Sequence, residues 1–276
     1  MLNIERPTTI SEIDEKINTS RKKYQDTLNF VHVQRDNLMW LANHALTLAQ
    51  YLSYEQSPEH NAEAKQAIAH CAQAYALLFS LANDPERIVE LEFNGEQHDT
   101  QYNGVGLVEQ GRINAQNWQE AVFCALTVRD HDALSSLLAF DLSHLRESRA
   151  VCPEVELMLA ELLQKVLLDK EVSQPEIIAL SQQIAADTNP LVQHCTNAKL
   201  SLINNALISK ATDLDETFLG ALNHYWQYQG QHLYADHAHT NFYMPIELLG
   251  TACLVQDQGR SVDIDTDFMP RFYIVS

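Results

Sequence analysis

The chain has 276 residues, nearly half of them apolar and a fifth charged, values of a globular protein and not of a disordered one. Acidic residues outnumber basic ones 37 to 18, a net charge of −19 with histidine neutral. That argues against nucleic acid or an anionic membrane as main partner, because phosphate is bound by basic surfaces, and it is compatible with a basic protein.

Eight glycines and eight prolines serve the whole chain, which suits long helices better than a turn-rich β-sandwich. Neither residue occurs between Thr8 and Ser57. Ser11 followed by Asp14 and Glu15 suits a helix start. Ile10, Ile13, Ile17, Tyr24, Leu28 and Val31 make a first helical stripe, and Leu38, Leu41, Ala42, Ala45, Leu48, Ala49 and Leu52 a second. They predict one long helix or two helices broken near Asn29–Gln34. Ser57-Pro58-Glu59 reads as a cap, a proline at the first helical position and an acid. The helix that follows carries Ala64, Ala67, Ile68, Cys71, Tyr75, Leu78 and Leu81, and Asn83-Asp84-Pro85 stops it.

Residues 87–103 change period. Ile88, Glu90 and Glu92 alternate with Val89, Leu91 and Phe93, ahead of Asn94-Gly95, which predicts one short β-hairpin lying as a lid on the helices. Helices resume over Trp118–Arg129 and again around Leu134–Leu138. Pro153 opens Val155–Leu168, Pro175 opens Ile177–Ala186, and Pro190 opens Leu191–Ile208. Asp213 or Asp215 caps Phe218–Tyr228, which Gly230 is expected to end. Pro245 opens Ile246–Val255, and the tail is left unassigned. The fold class is therefore mainly α: an irregular α-helical array of solenoid-like helix pairs with one hairpin near residues 87–103. No fixed repeat period is present. A single helical domain, 1–276, is expected, with a subdivision into 1–83 and 84–276 as the other option.

The five cysteines are dispersed without a C-x-x-C, as in a reducing compartment. MLNIERPTTISEIDEK lacks the apolar core of a signal peptide, and no run reaches the ~20 apolar residues of a membrane span. The cytoplasm is the expected location.

No nucleophile elbow, dinucleotide fingerprint or phosphate loop occurs. His232, Asp236, His237 and His239 form the densest polar cluster, but the spacing matches no zinc motif. Asp263, Asp265 and Asp267 alternate without the glycine and glutamate of a calcium loop, and read as a solvated edge. Trp118, Trp226, Tyr225 and Tyr228 sit at helical spacing, where aromatics more often fill a core than anchor a partner. No catalytic residue, metal or cofactor is expected.

The run Trp118-Gln119-Glu120-Ala121-Val122-Phe123-Cys124-Ala125-Leu126-Thr127-Val128-Arg129-Asp130 resembles a hallmark of the immunity protein 49 family of bacterial polymorphic toxin systems. So do Phe218-Leu219-Gly220-Ala221-Leu222-Asn223-His224-Tyr225-Trp226, the apolar helix Pro245–Val255 ending in Asp257-Gln258-Gly259, and Asp267-Phe268-Met269-Pro270. The last departs from the family's usual Asp-Tyr-Leu-Pro. The resemblance covers about residues 85–272. Read physically, Trp118, Ala121, Val122, Ala125 and Leu126 make one buried face, and Arg129 suits the negative end of the helix. Trp118, Ala121, Ala125, Arg129, Asp130, Trp226 and Pro270 are thus expected to be structural.

The resemblance implies an immunity protein that binds and blocks a cognate toxin, here one with a basic effector domain acting on nucleic acids. Acids outside the apolar stripes are the interface candidates: Glu96 and Asp99 in the hairpin, Asp213, Asp215 and Glu216 at a helix start, and Asp263, Asp265 and Asp267 in the tail. Should the acids serve solubility alone, exposed apolar residues such as Tyr234, Phe242 and Tyr243 are the next choice. Two other readings stay open, a helical scaffold or adaptor and a metal hydrolase using His232, His237 and His239.

Overall fold

A computed structural model describes residues 13–54, 57–232, 243–264 and 266–275, without the side chains of 229–232. The fold is mainly α, with one two-stranded antiparallel hairpin. Contacts group the chain into two compact units, Thr9–Cys152 and Pro153–Ser276.

In the first unit, α1 (Ile13–Asn29) and α2 (Asn37–Leu52) are separate helices. The break, residues 30–36, overlaps the expected stretch and runs two residues past it, at a turn in which Val33 N–H donates to the Phe30 carbonyl and Asn37 N–H to that of Gln34, each at 3.0 Å. The second stripe of α2, from Leu38 to Leu52, is buried. α3 (Pro58–Asn83) begins as its sequence predicts, with the Ser57 side chain accepting from His60 N–H. It packs against α2, against α4 (Ala115–Val128) and against α5 (His131–Leu138). Its many alanines allow that approach on several faces. Cys71 of α3 and Cys124 of α4 meet at 3.6 Å between sulfurs, packed as small hydrophobes. A short α6 (His144–Glu147) follows.

The hairpin pairs β1 (Val89–Phe93) with β2 (Glu96–Tyr102). Asn94 and Gly95 have φ of 53° and 74°, the left-handed pair of a two-residue hairpin turn. The register shifts between Glu90 and Glu92. Beyond β2, Gly104 lies so close to α3 that a Cβ there would stand 1.9 Å from the Leu81 carbonyl oxygen.

In the second unit, α7 (Glu154–Leu167) packs against α8 (Gln174–Ala186). Ser173 caps α8, its N–H and hydroxyl both 2.9 Å from the Glu176 carboxylate. Lys165 bonds the same carboxylate, and that contact first, then Ser173, holds Glu176 at about 2. The helical stretch expected after Pro190 is interrupted: α9 (Asn197–Leu202) lies between π-helical turns at Val192–Thr196 and Ile203–Ile208. α10 (Leu214–His232) runs past Gly230, contrary to the expected stop. Glycine costs a helix about 1 kcal/mol but does not forbid it. α11 (Ile246–Asp257) and the short α12 (Arg271–Ile274) complete the unit. The tail left unassigned by sequence is packed in: Phe268, Met269 and Pro270 are buried, and the Arg271 guanidinium donates to the Val262 carbonyl at 2.9 Å.

No helix of the described residues is long and apolar enough to cross a membrane.

Candidate functional site

The strand period of the hairpin divides its side chains between two sides. Leu91, Phe93 and Tyr102 on one side are buried and Glu90, Glu92 and Asp99 on the other are exposed, while Glu96, the register partner of Phe93, is exposed at the turn end of the buried side. The buried side rests on helices of the first unit. Phe93 meets the His70 ring at 5.4 Å, and His70 Nδ1 shares a 2.6 Å hydrogen bond with the Tyr24 hydroxyl. Burial lowers the pKa of His70 and raises that of Tyr24 to about 12. Further along β2, His98 stacks on His32 at 5.4 Å. The Thr100 hydroxyl donates to the His32 carbonyl at 2.9 Å and the Tyr102 hydroxyl to that of Val31 at 2.6 Å. Three successive same-side residues of β2 thus clasp the α1–α2 turn, and Glu96 and Asp99 are left facing solvent.

A second acidic group forms in the other unit. Asp213 caps α10, accepting from Glu216 N–H at 2.9 Å. Asp215 accepts from Asp263 N–H, also at 2.9 Å. The fold thereby joins the helix-start acids to one of the tail acids, and Asp213, Asp215 and Asp263 line a depression of about 390 Å³. Asp213, Glu216, Asp263 and Asp267 are exposed and Asp215 is half-buried. Asp265 lies outside the described residues.

The residues read as structural are placed as follows. Trp118, Ala121 and Ala125 are fully buried, and the Trp118 indole N–H donates to the Leu137 carbonyl at 3.0 Å. Arg129 takes the left-handed conformation, φ 58°, at the end of α4. Asp130 caps α5 by accepting from Ala133 N–H at 2.9 Å, and its other oxygen accepts from Gln73 at 2.9 Å. Trp226 is half-buried with its ring edge-on to Phe268 at 6.1 Å. Pro270 is buried at the start of α12.

Tyr243, expected among exposed apolar residues, is buried instead: it precedes the Pro245 turn into the apolar helix α11. Tyr234 and Phe242 lie outside the described residues, as do Asp236, His237 and His239, and the His232 side chain is not described. Among the described residues no group of three or more His, Cys, Asp or Glu could hold a metal ion.

Sequence reading missed a buried polar cluster in the second unit. Lys199 of α9 and Glu156 of α7 pair at 2.7 Å with side chains 7% and 2% exposed. The Thr196 hydroxyl donates to the same carboxylate at 2.5 Å. Burial pulls the Lys199 pKa down, but Glu156 and Glu247 pull it up more strongly, and the net shift is upward. Burial also raises Glu247 and pushes the Cys195 thiol up to about 12, so this cysteine is a protonated, inert thiol.

A family model described as Immunity protein 49 matches residues 56–273, most of the chain. No curated protein and no solved structure matches.

Proposed function

We propose that this chain, which belongs to the immunity protein 49 family, binds a cognate bacterial toxin directly and neutralises it without catalysis. The carrying observation is the family match across residues 56–273. The charge of −19 supports a toxin with a basic effector domain, such as one acting on nucleic acids. An acidic inhibitor meets the basic surface that such an enzyme presents to phosphates, and long-range attraction speeds the encounter. The acids named above, in both units, supply that attraction. The chain would act in the cytoplasm, within a polymorphic toxin system of interbacterial competition.

The test is co-expression with the C-terminal domain encoded immediately upstream of this gene. Protection of growth, with a complex that co-purifies, is the expected result. An intoxicated culture containing folded, abundant protein and no complex would refute the reading.

A further inference from the structure

The large apolar side chains exposed among the described residues are not spread evenly. Phe30 and Val33, 57% and 61% exposed, stand on the α1–α2 turn. Val105, 52% exposed, is tied to the same turn, because the Arg35 guanidinium donates to the carbonyls of Asn103 and Val105 at 2.6 and 2.9 Å. Ile88, 64% exposed, precedes the β1 residue Val89, whose register partner Tyr102 is next to Asn103. Single exposed apolar residues are ordinary on a protein surface, but several gathered at one place mark an interaction site.

The strand clasped to this turn also carries exposed acids. His98, Thr100 and Tyr102 hold β2 against residues 31 and 32, and the exposed acids Glu96 and Asp99 flank them in the same strand. Glu90 and Glu92 are exposed on β1, on the same side of the hairpin as Asp99. The turn's own cation, Arg35, is engaged on the two carbonyls, and Asp36 of the turn is paired with Arg112 at 2.8 Å. An apolar centre with a charged rim is the anatomy of a protein interface. The acidic depression at Asp213, Asp215 and Asp263 differs, since no exposed large apolar residue falls in the segments that line it.

We propose that the α1–α2 turn and the hairpin clasped to it form one docking surface for a basic protein partner, with Phe30, Val33 and Val105 at its centre and the hairpin acids as its rim. The partner's complementary chemistry is an apolar projection ringed by lysine or arginine. This rests on the toxin-binding reading and assigns it a place: the hairpin unit makes the close contact, whereas the Asp213 group contributes only long-range attraction. The α1–α2 turn lies ahead of the family-matched span, so half of this surface is outside what the family model describes.

The test uses the full chain and, as probe, the C-terminal domain encoded immediately upstream, in a surface-binding assay at two ionic strengths. Phe30→Ser combined with Val33→Ser and Val105→Ser is expected to raise the dissociation rate at least about tenfold, as truncating central interface residues does, with circular dichroism and melting temperature unchanged. Glu96→Lys with Asp99→Lys should slow association and flatten its salt dependence. Asp213→Lys with Asp215→Lys should slow association but leave dissociation as in the parent. If the parent binds and the triple variant dissociates like it, the docking surface is overturned and the toxin-binding reading stands. If the parent chain itself fails to bind, the reading falls and takes the surface with it.

Discussion

Replacing Lys199 with methionine would leave the Glu156 carboxylate without its cation in the core of the second unit. The pair is 2.7 Å apart, and at an effective dielectric of about 20 such a separation gives an attraction of about 6 kcal/mol. Desolvation, at several kcal/mol per ion, roughly cancels it, so the pair contributes little net stability while its breaking is costly. Lys199→Met is expected to destabilise by about 3–5 kcal/mol, the cost of an uncompensated buried charge. Lys199→Met with Glu156→Leu removes both charges. It takes the acceptor from the Thr196 hydroxyl and the neighbouring cation from Glu247, whose own burial favours its neutral form, and it should cost less than Lys199→Met alone, about 1–3 kcal/mol relative to the parent. Urea unfolding gives the energies, and hydrogen exchange in α7 and α9 assigns them to this unit. The pH dependence supplies a second readout. Lys199 is raised above its ordinary 10.5, so its contribution is complete below 10.5 and is lost as pH rises through the folded value. The alkaline loss should vanish in the double variant. A single variant as stable as the parent, or single costs that simply add in the double, would refute the argument.

Three further outcomes follow from the first unit. Trp118→Ala should cost about 3–5 kcal/mol by leaving a cavity in the core; an unchanged melting temperature with lost partner binding would instead mark Trp118 as an interface anchor. Gly104→Ala drives a Cβ into the Leu81 backbone, and a loss of more than about 2 kcal/mol in urea titrations is expected, since only backbone movement can relieve the clash. Burial holds the His70 pKa below 6.5, so the unfolded chain takes up a proton first as pH falls below 6.5, and stability declines from there toward the folded value. His70→Gln should flatten that acid-side slope in melting curves, and a slope identical to the parent's would exclude His70 as its source.

What the sequence made legible was local. Ser57-Pro58 announced α3, Asn94-Gly95 announced the hairpin turn, and apolar spacing marked the buried stripes. These signals are carried by neighbours within one or two turns of chain. The Glu156–Lys199 pair spans 43 residues and the Asp215–Asp263 contact 48, and neither leaves a local trace. Glu156 stands near a helix start, where nothing in the sequence sets a buried acid apart from a solvated one. The π turns around α9 escaped because a helix with a widened turn keeps nearly the same apolar spacing. Gly230 misled because a weak local preference was read as a stop. For the interface, the strand period put Glu96 and Asp99 in the hairpin, but the exposure of Phe30 and Val33 depends on what a turn leaves uncovered, which only the packed chain decides.

The joint between α4 and α5 constrains the length of the chain as well as its chemistry. Arg129 and Asp130 alone separate the two helices. Asp130 N–H returns to the Ala125 carbonyl at 3.0 Å, the long bond of a Schellman ending, while the Asp130 carboxylate serves α5 and α3 at once. One added residue would turn α5 by about 100° about its axis relative to the present exit, and Leu137 could no longer offer its carbonyl to the Trp118 indole. Loops elsewhere can absorb an insertion by bulging into solvent; this corner has no slack to give. An insertion scan along the chain should therefore find a gap at these two positions, where spacing is inherited as strictly as any side chain.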